Sequence, residues 1–373
     1  MAKEGPSHPV HPSSAADRRA PFADFFSMFF TMGPANKDHH PALRCAVGVF
    51  VPLITLVLLQ RLDLAIFASF GAFAGIYGRN EPHGRRLVLQ LRAGTLMLAV
   101  ILLAALTAHA GALTAFTPAG RIWLQVAATT LVAGACSLIV SLWRLRPAGS
   151  LFHIFAFAAI ASVPHQSPLW QGMLVAVLTV AFSLLVGMSS RVVPGRRRPW
   201  SWSAPVRLTG PERRAAWLEA VGYLVAAGLA GILATVIGQR LGIGHNYWAM
   251  VAAVVPLVGH TTRHRISRGL QRILGTALGL ALLAAILLLQ PEPWLTVLVI
   301  AACQFGAEMF IARQYLVAQL FVTPLALIST LLVAPVPAGV LLRDRLFETV
   351  IGAVVGVAVV LAPALWRRWK TGR

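Results

Sequence analysis

The chain has 373 residues, 57% of them hydrophobic and only 12% charged, with a formal net charge of +20 and a mean hydropathy of +0.73. That composition excludes a soluble globular protein, because apolar runs near the ~20 residues needed to cross a ~30 Å hydrocarbon core recur along its length. The positive charge does not argue for nucleic acid, since basic residues of membrane proteins gather in cytoplasmic loops.

Residues 1–20 carry Lys3, Glu4, Asp17, Arg18 and Arg19 among Pro and Ser, without the apolar core of a signal peptide. Residues 1–41 therefore read as a cytoplasmic tail. Within it, PFADFFSMFFTM (21–32) sets Phe25, Phe26, Phe29 and Phe30 at helical spacing. Two readings stay open there: a helix lying in the membrane interface, or a loop that packs its aromatics on protein.

Twelve apolar segments follow, at roughly 42–60, 63–78, 87–110, 122–143, 149–163, 168–189, 216–238, 245–259, 271–290, 293–311, 314–333 and 339–365. Those at 63–78, 149–163 and 245–259 are short for a full crossing. Cys45, Cys136 and Cys303 each fall singly inside such segments, so neither a disulfide nor a zinc site is expected. With alternate connections assigned to opposite sides, only Arg61, Arg121, Arg240, Arg343 and Arg345 fall on one side. The other Lys and Arg residues share the opposite side, which places both termini and the central linker in the cytoplasm.

The chain repeats itself. Gln60-Arg61-Leu62 closes the first segment and Gln239-Arg240-Leu241 the seventh. Gln90 precedes Gly94-Thr95 as Gln271 precedes Gly275-Thr276, and both hairpins turn through basic residues, RNEPHGRR and HTTRHRISR. An all-α integral membrane fold of about twelve transmembrane helices follows, as two parallel six-helix repeats over 42–189 and 215–366. A basic cytoplasmic linker at 190–214 joins them, and a basic tail covers 367–373. Gly71-x3-Gly75, Gly275-x3-Gly279 and Gly352-x3-Gly356 set paired glycines on one helix face, the pattern of close helix contact.

No GxSxG, P-loop, HExxH or paired soluble carboxylates occur, so no enzyme, no cofactor and no catalytic or metal residues are expected. The informative groups are ionisable residues inside apolar segments, which hydrocarbon penalises. Glu308 lies five residues before Arg313. Glu348 follows Arg345 and Asp344 at helical spacing, which suits either a structural ion pair or a proton site. Glu219 reads as an interface residue and His153 as a core histidine. His245, Tyr247 and Trp248 sit together at the outer mouth of the central hairpin. The last two fit an interfacial aromatic belt as well as a substrate surface. Arg263 and Arg272 flank a helix start, mostly as topological charges, and offer themselves to an anion.

At this hairpin the chain resembles the fusaric-acid-resistance and aromatic acid exporter proteins of bacterial inner membranes. The residues that carry the resemblance are Tyr247-Trp248-Ala249, then Arg268-Gly269-Leu270-Gln271-Arg272 running into Leu274-Gly275-Thr276. Arg313-Gln-Tyr315 with Leu320-Phe321-Val-Thr323-Pro324-Leu325, and Arg345-Leu-Phe-Glu348-Thr349-Val-Ile-Gly352, match further family segments in order. The first half shows a faded copy without the Tyr-Trp pair. The resemblance implies an inner-membrane secondary transporter that exports amphipathic, aromatic organic anions. Tyr247, Trp248, Arg263, Gln271, Arg272, Thr276, Arg313, Tyr315 and Thr323 would meet the substrate. Glu308, Glu348, Arg345 and His245 would serve proton coupling, because burial favours the neutral form of a carboxyl. The expected partners are small organic anions and membrane lipid, and not nucleic acid; a homo-oligomer stays open, and a periplasmic adaptor is unknown from the sequence. Two alternatives stay open: an organic-anion channel of the same fold, and a non-transporting envelope or lipid-handling protein whose basic face binds anionic lipid.

Overall fold

The computed structural model describes Ser27 and residues 29–113, 117–163, 167–192, 208–244, 246–259, 261–334 and 336–370. His245, most of the segment 21–32 and the linker stretch 193–207 lie outside the described residues.

Among the described residues the chain forms α-helices and short 3-10 turns. They are α1 (His39–Leu58), α2 (Ala65–Gly71, continued by a 3-10 turn Ala72–Ile76), α3 (His83–Leu113), α4 (Pro118–Leu142), α5 (Leu151–Ser162) and α6 (Leu169–Ser189). The second half has α7 (Gly210–Leu241), α8 (Tyr247–Ala253, continued by a 3-10 turn Val255–Val258), α9 (Thr262–Leu288), α10 (Pro293–Phe310), α11 (Tyr315–Leu331) and α12 (Ala338–Lys370). Their order follows the twelve apolar segments. Eight of these helices are long and apolar enough to cross a membrane. The segments built on α2, α5, α8 and α11 are shorter.

Length and position go together. Every residue of α2 and of α8 is buried, and so is most of α5 and α11. A helix that is apolar all round belongs inside. The long helices instead leave residues such as Leu131, Leu185, Leu229 and Leu278 exposed, a sign of lipid-facing surface on a membrane protein.

Local chemistry explains the helix limits that the apolar pattern misplaced. The linker was expected to reach residue 214, yet α7 begins at Gly210. There Thr209 and Glu212 form a reciprocal capping box and Pro211 occupies the first turn. The basic turn of the central hairpin is largely helical, because Thr261 accepts from the His264 N–H and starts α9 at Thr262. Arg263, Arg265, Arg268 and Arg272 are therefore successive faces of one helix rather than a loop. In each hairpin, a residue of extended backbone, Tyr77 or Gly259, ends the 3-10 turn. The next helix sends an arginine back to that turn: Arg86 Nε donates to Gly78 O at 3.1 Å and Arg265 Nε to Gly259 O at 2.7 Å.

In the first half α3 packs on α5 and α6, and α6 on α1 and α2; in the second, α9 packs on α11 and α12, and α12 on α7 and α8. Between the halves α4 lies along α7 and α10 along α1, while α5 meets α8 and α11 meets α2. The paired glycines permit the closest approaches. A Cβ at Gly275 would come within 2.6 Å of the Gln319 side chain of α11, and one at Gly279 within 2.6 Å of Thr323. Gly352 and Gly356 bring the α12 backbone onto the carbonyl oxygens of Ala249 and Ala253.

Candidate functional site

The four short segments meet where the halves meet, and there they enclose a cavity of about 70 Å³. The first half lines it with Phe70 and Phe73 of the α2 segment and Phe152 and Phe155 of α5; the second adds Trp248, Arg272, Gln304, Glu308 and Arg345. The rings form a chain: Phe73 meets Phe70 edge-on at 5.4 Å, Phe70 meets Phe155 at 4.9 Å, and Phe155 meets Trp248 at 5.0 Å. At its end the Arg345 guanidinium lies 3.7 Å above the Trp248 ring centroid, within cation–π range.

Polar atoms around this apolar space lack protein partners. Ser69 Oγ, Gln304 Oε1, Trp248 Nε1, Arg272 Nε, and Nε and Nη1 of Arg345 are all buried without a hydrogen bond. Most buried polar groups in folded proteins are satisfied, so a cluster of unsatisfied polar atoms on residues that line one cavity marks a place for a polar ligand or water. Arg272 is half-committed: its Nη1 donates to Gln319 Oε1 at 2.8 Å and to the Tyr315 hydroxyl at 3.4 Å. Gln319 in turn donates to Thr323 at 3.1 Å and Thr276 at 3.4 Å. Thr276 and Thr323 thus hold the amide that holds the arginine.

A second cavity of about 350 Å³ adjoins the first and shares Ile76, Leu151, Phe152, Glu308 and Ile311 with it. Arg79, Arg146 and Arg268 make its wall basic, and Arg268 stacks on Tyr315 at 4.6 Å. At the partition Arg79 bridges two carboxylates from opposite ends of the chain. Its Nη1 lies 2.7 Å from Glu308 and its Nη2 2.9 Å from Asp38. Burial works against the charge of Asp38, but the Asn36 N–H and the Arg79 guanidinium outweigh it and hold the carboxyl below its ordinary range.

The sequence-derived residues divide accordingly. Trp248, Arg272, Glu308 and Arg345 line the inner cavity and Tyr315 the outer one. Tyr247 is buried against Trp248 at 4.6 Å. Neither aromatic belongs to an interfacial belt, because all of α8 is enclosed by protein. Arg345, counted by sequence among the loop charges, is instead inside α12 and 1% exposed. Glu348 is equally buried, yet it forms no ion pair with Arg345. Its carboxylate faces the N–H groups of Trp248 and Ala249 at the start of α8, and neither oxygen has a hydrogen-bond partner of full geometry. Gln271 donates to Ser267 within α9. Arg313 is drawn away to Gly33 O at 3.2 Å, and Arg263 is exposed at the α9 start; neither lines either of these two cavities. His153 is enclosed in α5 and lines neither cavity, while Glu219 accepts from Ser141.

Sequence reasoning missed the four phenylalanines, Ser69, Gln304 and Arg79. Their one signal was the shortness of the segments that carry the rings, since a segment too short to span is a candidate for the interior. Arg79 and Gln304 had none, the first being one basic residue among many and the second lying in a helix of full spanning length.

The chain is 30% identical over 178 residues to the uncharacterized membrane protein YvaC of Bacillus subtilis (strain 168), an alignment that covers 48% of this chain and 26% of that protein. The match thus spans about a quarter of the length of that curated relative. No solved structure matches. Residues 232–359, which carry Trp248, Arg272, Glu308 and Arg345, match the family model of fusaric acid resistance protein-like sequences.

Proposed function

We propose that this protein is an inner-membrane secondary transporter of twelve membrane-embedded helices in two parallel repeats, which exports amphipathic, aromatic organic anions. The repeat reading is supported by the packing: α3–α5, α3–α6, α6–α1 and α6–α2 recur as α9–α11, α9–α12, α12–α7 and α12–α8, and between the halves α4–α7 matches α10–α1 and α5–α8 matches α11–α2. The lopsided Lys and Arg distribution supports cytoplasmic termini.

The observation that carries the function is the aromatic cavity lined by two arginines that keep guanidinium nitrogens without a partner (Nε of Arg272, Nε and Nη1 of Arg345), next to a basic vestibule. Arginines at the vestibule attract an anion, and the Phe-Trp wall takes its apolar body. Glu348 is the preferred proton carrier, because it is buried beside the cavity residues without an ion pair, whereas Glu308 is already held by Arg79.

The test is efflux of labelled aromatic and aliphatic carboxylates from proteoliposomes, with and without an imposed pH gradient. Release of aromatic anions accelerated by the gradient, and lost in Glu348→Gln, is the expected result. Coupling that survives in both Glu348→Gln and Glu308→Gln refutes the proton role. Gradient-independent release identifies a channel. No release at all, with tightly retained anionic lipid, leaves the lipid-handling alternative.

A further inference from the structure

The two halves differ at one packing position in a way that bears on ligand recognition. Three contacts recur at matching places. Gln171 of α6 is tied to the turn before α2 through Arg61, as Asp344 of α12 is tied to the turn before α8 through the Gly244 N–H. Thr179 meets Gly71 as Gly352 meets Ala252. In the same register, the Phe67 ring covers Gly172 where the Trp248 ring covers Arg345. A Cβ at Gly172 would lie 2.6 Å from the Phe67 ring, so the first half closes this position with bare backbone and an aromatic ring.

The fold therefore does not require a cation beneath that ring. An arginine there desolvates a full charge, and burial of an unpaired charge is costly. Arg345 nonetheless keeps Nε and Nη1 unpartnered while it lines the inner cavity.

We infer that Arg345, laid on Trp248, is the anion anchor of the central cavity, receives the carboxylate of an organic anion whose planar body lies along the Phe155–Phe70 rings, and has no counterpart in the first half. This rests on the transport reading and narrows it to one site per chain. Trp248 orients the guanidinium, and Arg272, held by Gln319, contributes a second donor from the facing helix.

The test is calorimetric binding of benzoate and of its neutral isostere benzamide to the protein in lipid nanodiscs. Two variants are compared with the native protein: Arg345→Gln, and the pair Trp248→Phe with Arg345→Gly, which installs the packing of the first half. The native protein should prefer benzoate, and both variants should lose that preference, with benzoate about tenfold weaker or more. Retention of the preference in either variant, if monodisperse with native helix content, overturns the anchor and leaves the transport reading standing. Failure of the native protein to bind or release benzoate and every other carboxylate overturns both. A preference lost in Arg345→Gln but intact binding of benzamide separates charge recognition from general collapse of the cavity.

Discussion

Arg79 offers the sharpest test of how the halves are joined. Arg79→Met removes the cation that lies 2.7 Å from Glu308 and 2.9 Å from Asp38, carboxylates that are 5% and 4% exposed. Removing one partner of a fully buried pair costs about 3–5 kcal/mol, chiefly because a charge is left uncompensated. Three features reduce that here. The Arg79 side chain is 16% exposed, and Glu308 borders the larger cavity. Asp38 also keeps its 3.1 Å bond from the Asn36 N–H. We therefore expect a loss of about 2–3 kcal/mol for the single change. Most of it should be an interaction with Glu308, so the double variant Arg79→Met with Glu308→Gln should recover about 1–2 kcal/mol relative to additivity. Reversible unfolding in mixed dodecyl sulfate micelles, followed by circular dichroism, measures the cycle. Additivity within about 0.5 kcal/mol would refute the claim that Arg79 clamps α10 to the first hairpin.

Gly352→Leu and Gly356→Leu drive side chains into the Ala249 and Ala253 carbonyls and should each cost about 1–3 kcal/mol or prevent folding. Gly339→Ala meets nothing within 4 Å and should stay within about 0.5 kcal/mol of native in the same denaturation assay. The acid limb of stability should depend on Asp38. Its carboxyl is held below its ordinary 3.8, so its contribution is complete above that pH and lost as pH falls through the lower folded value. Asp38→Asn should consequently flatten the melting temperature against pH below 3.8, and an unchanged slope refutes the assignment. Gln314 donates to Phe29 O and Thr31 O, so Gln314→Ala should free the segment before α1 and speed chymotryptic cleavage at Phe29-Phe30. Equal cleavage rates would show that the segment is held by other contacts.

The order of the helices was legible in the sequence because each bilayer-facing or core segment must be apolar over most of its length, whatever it packs against. The glycine pairs were legible for a similar reason: a face without side chains signals contact before the partner is known. Helix starts were harder. The capping box at Thr209 and Glu212 and the cap at Thr261 are local signals, but the neighbouring arginines masked them by reading as loop.

The sequence by itself determined that this is a helical membrane protein and that residues 232–359 resemble the fusaric acid resistance family, because hydropathy and ordered motifs are properties of the linear chain. Only the tertiary structure decided which polar residues act together. Arg79 and Glu308 are far apart in sequence yet share an ion pair. Arg345 and Glu348 are three residues apart on one helix yet do not pair, since the guanidinium is turned onto Trp248 and the carboxylate toward the start of α8. Which charge is satisfied and which is left facing a cavity depends on what the other helices bring beside it, and no spacing along the chain encodes that.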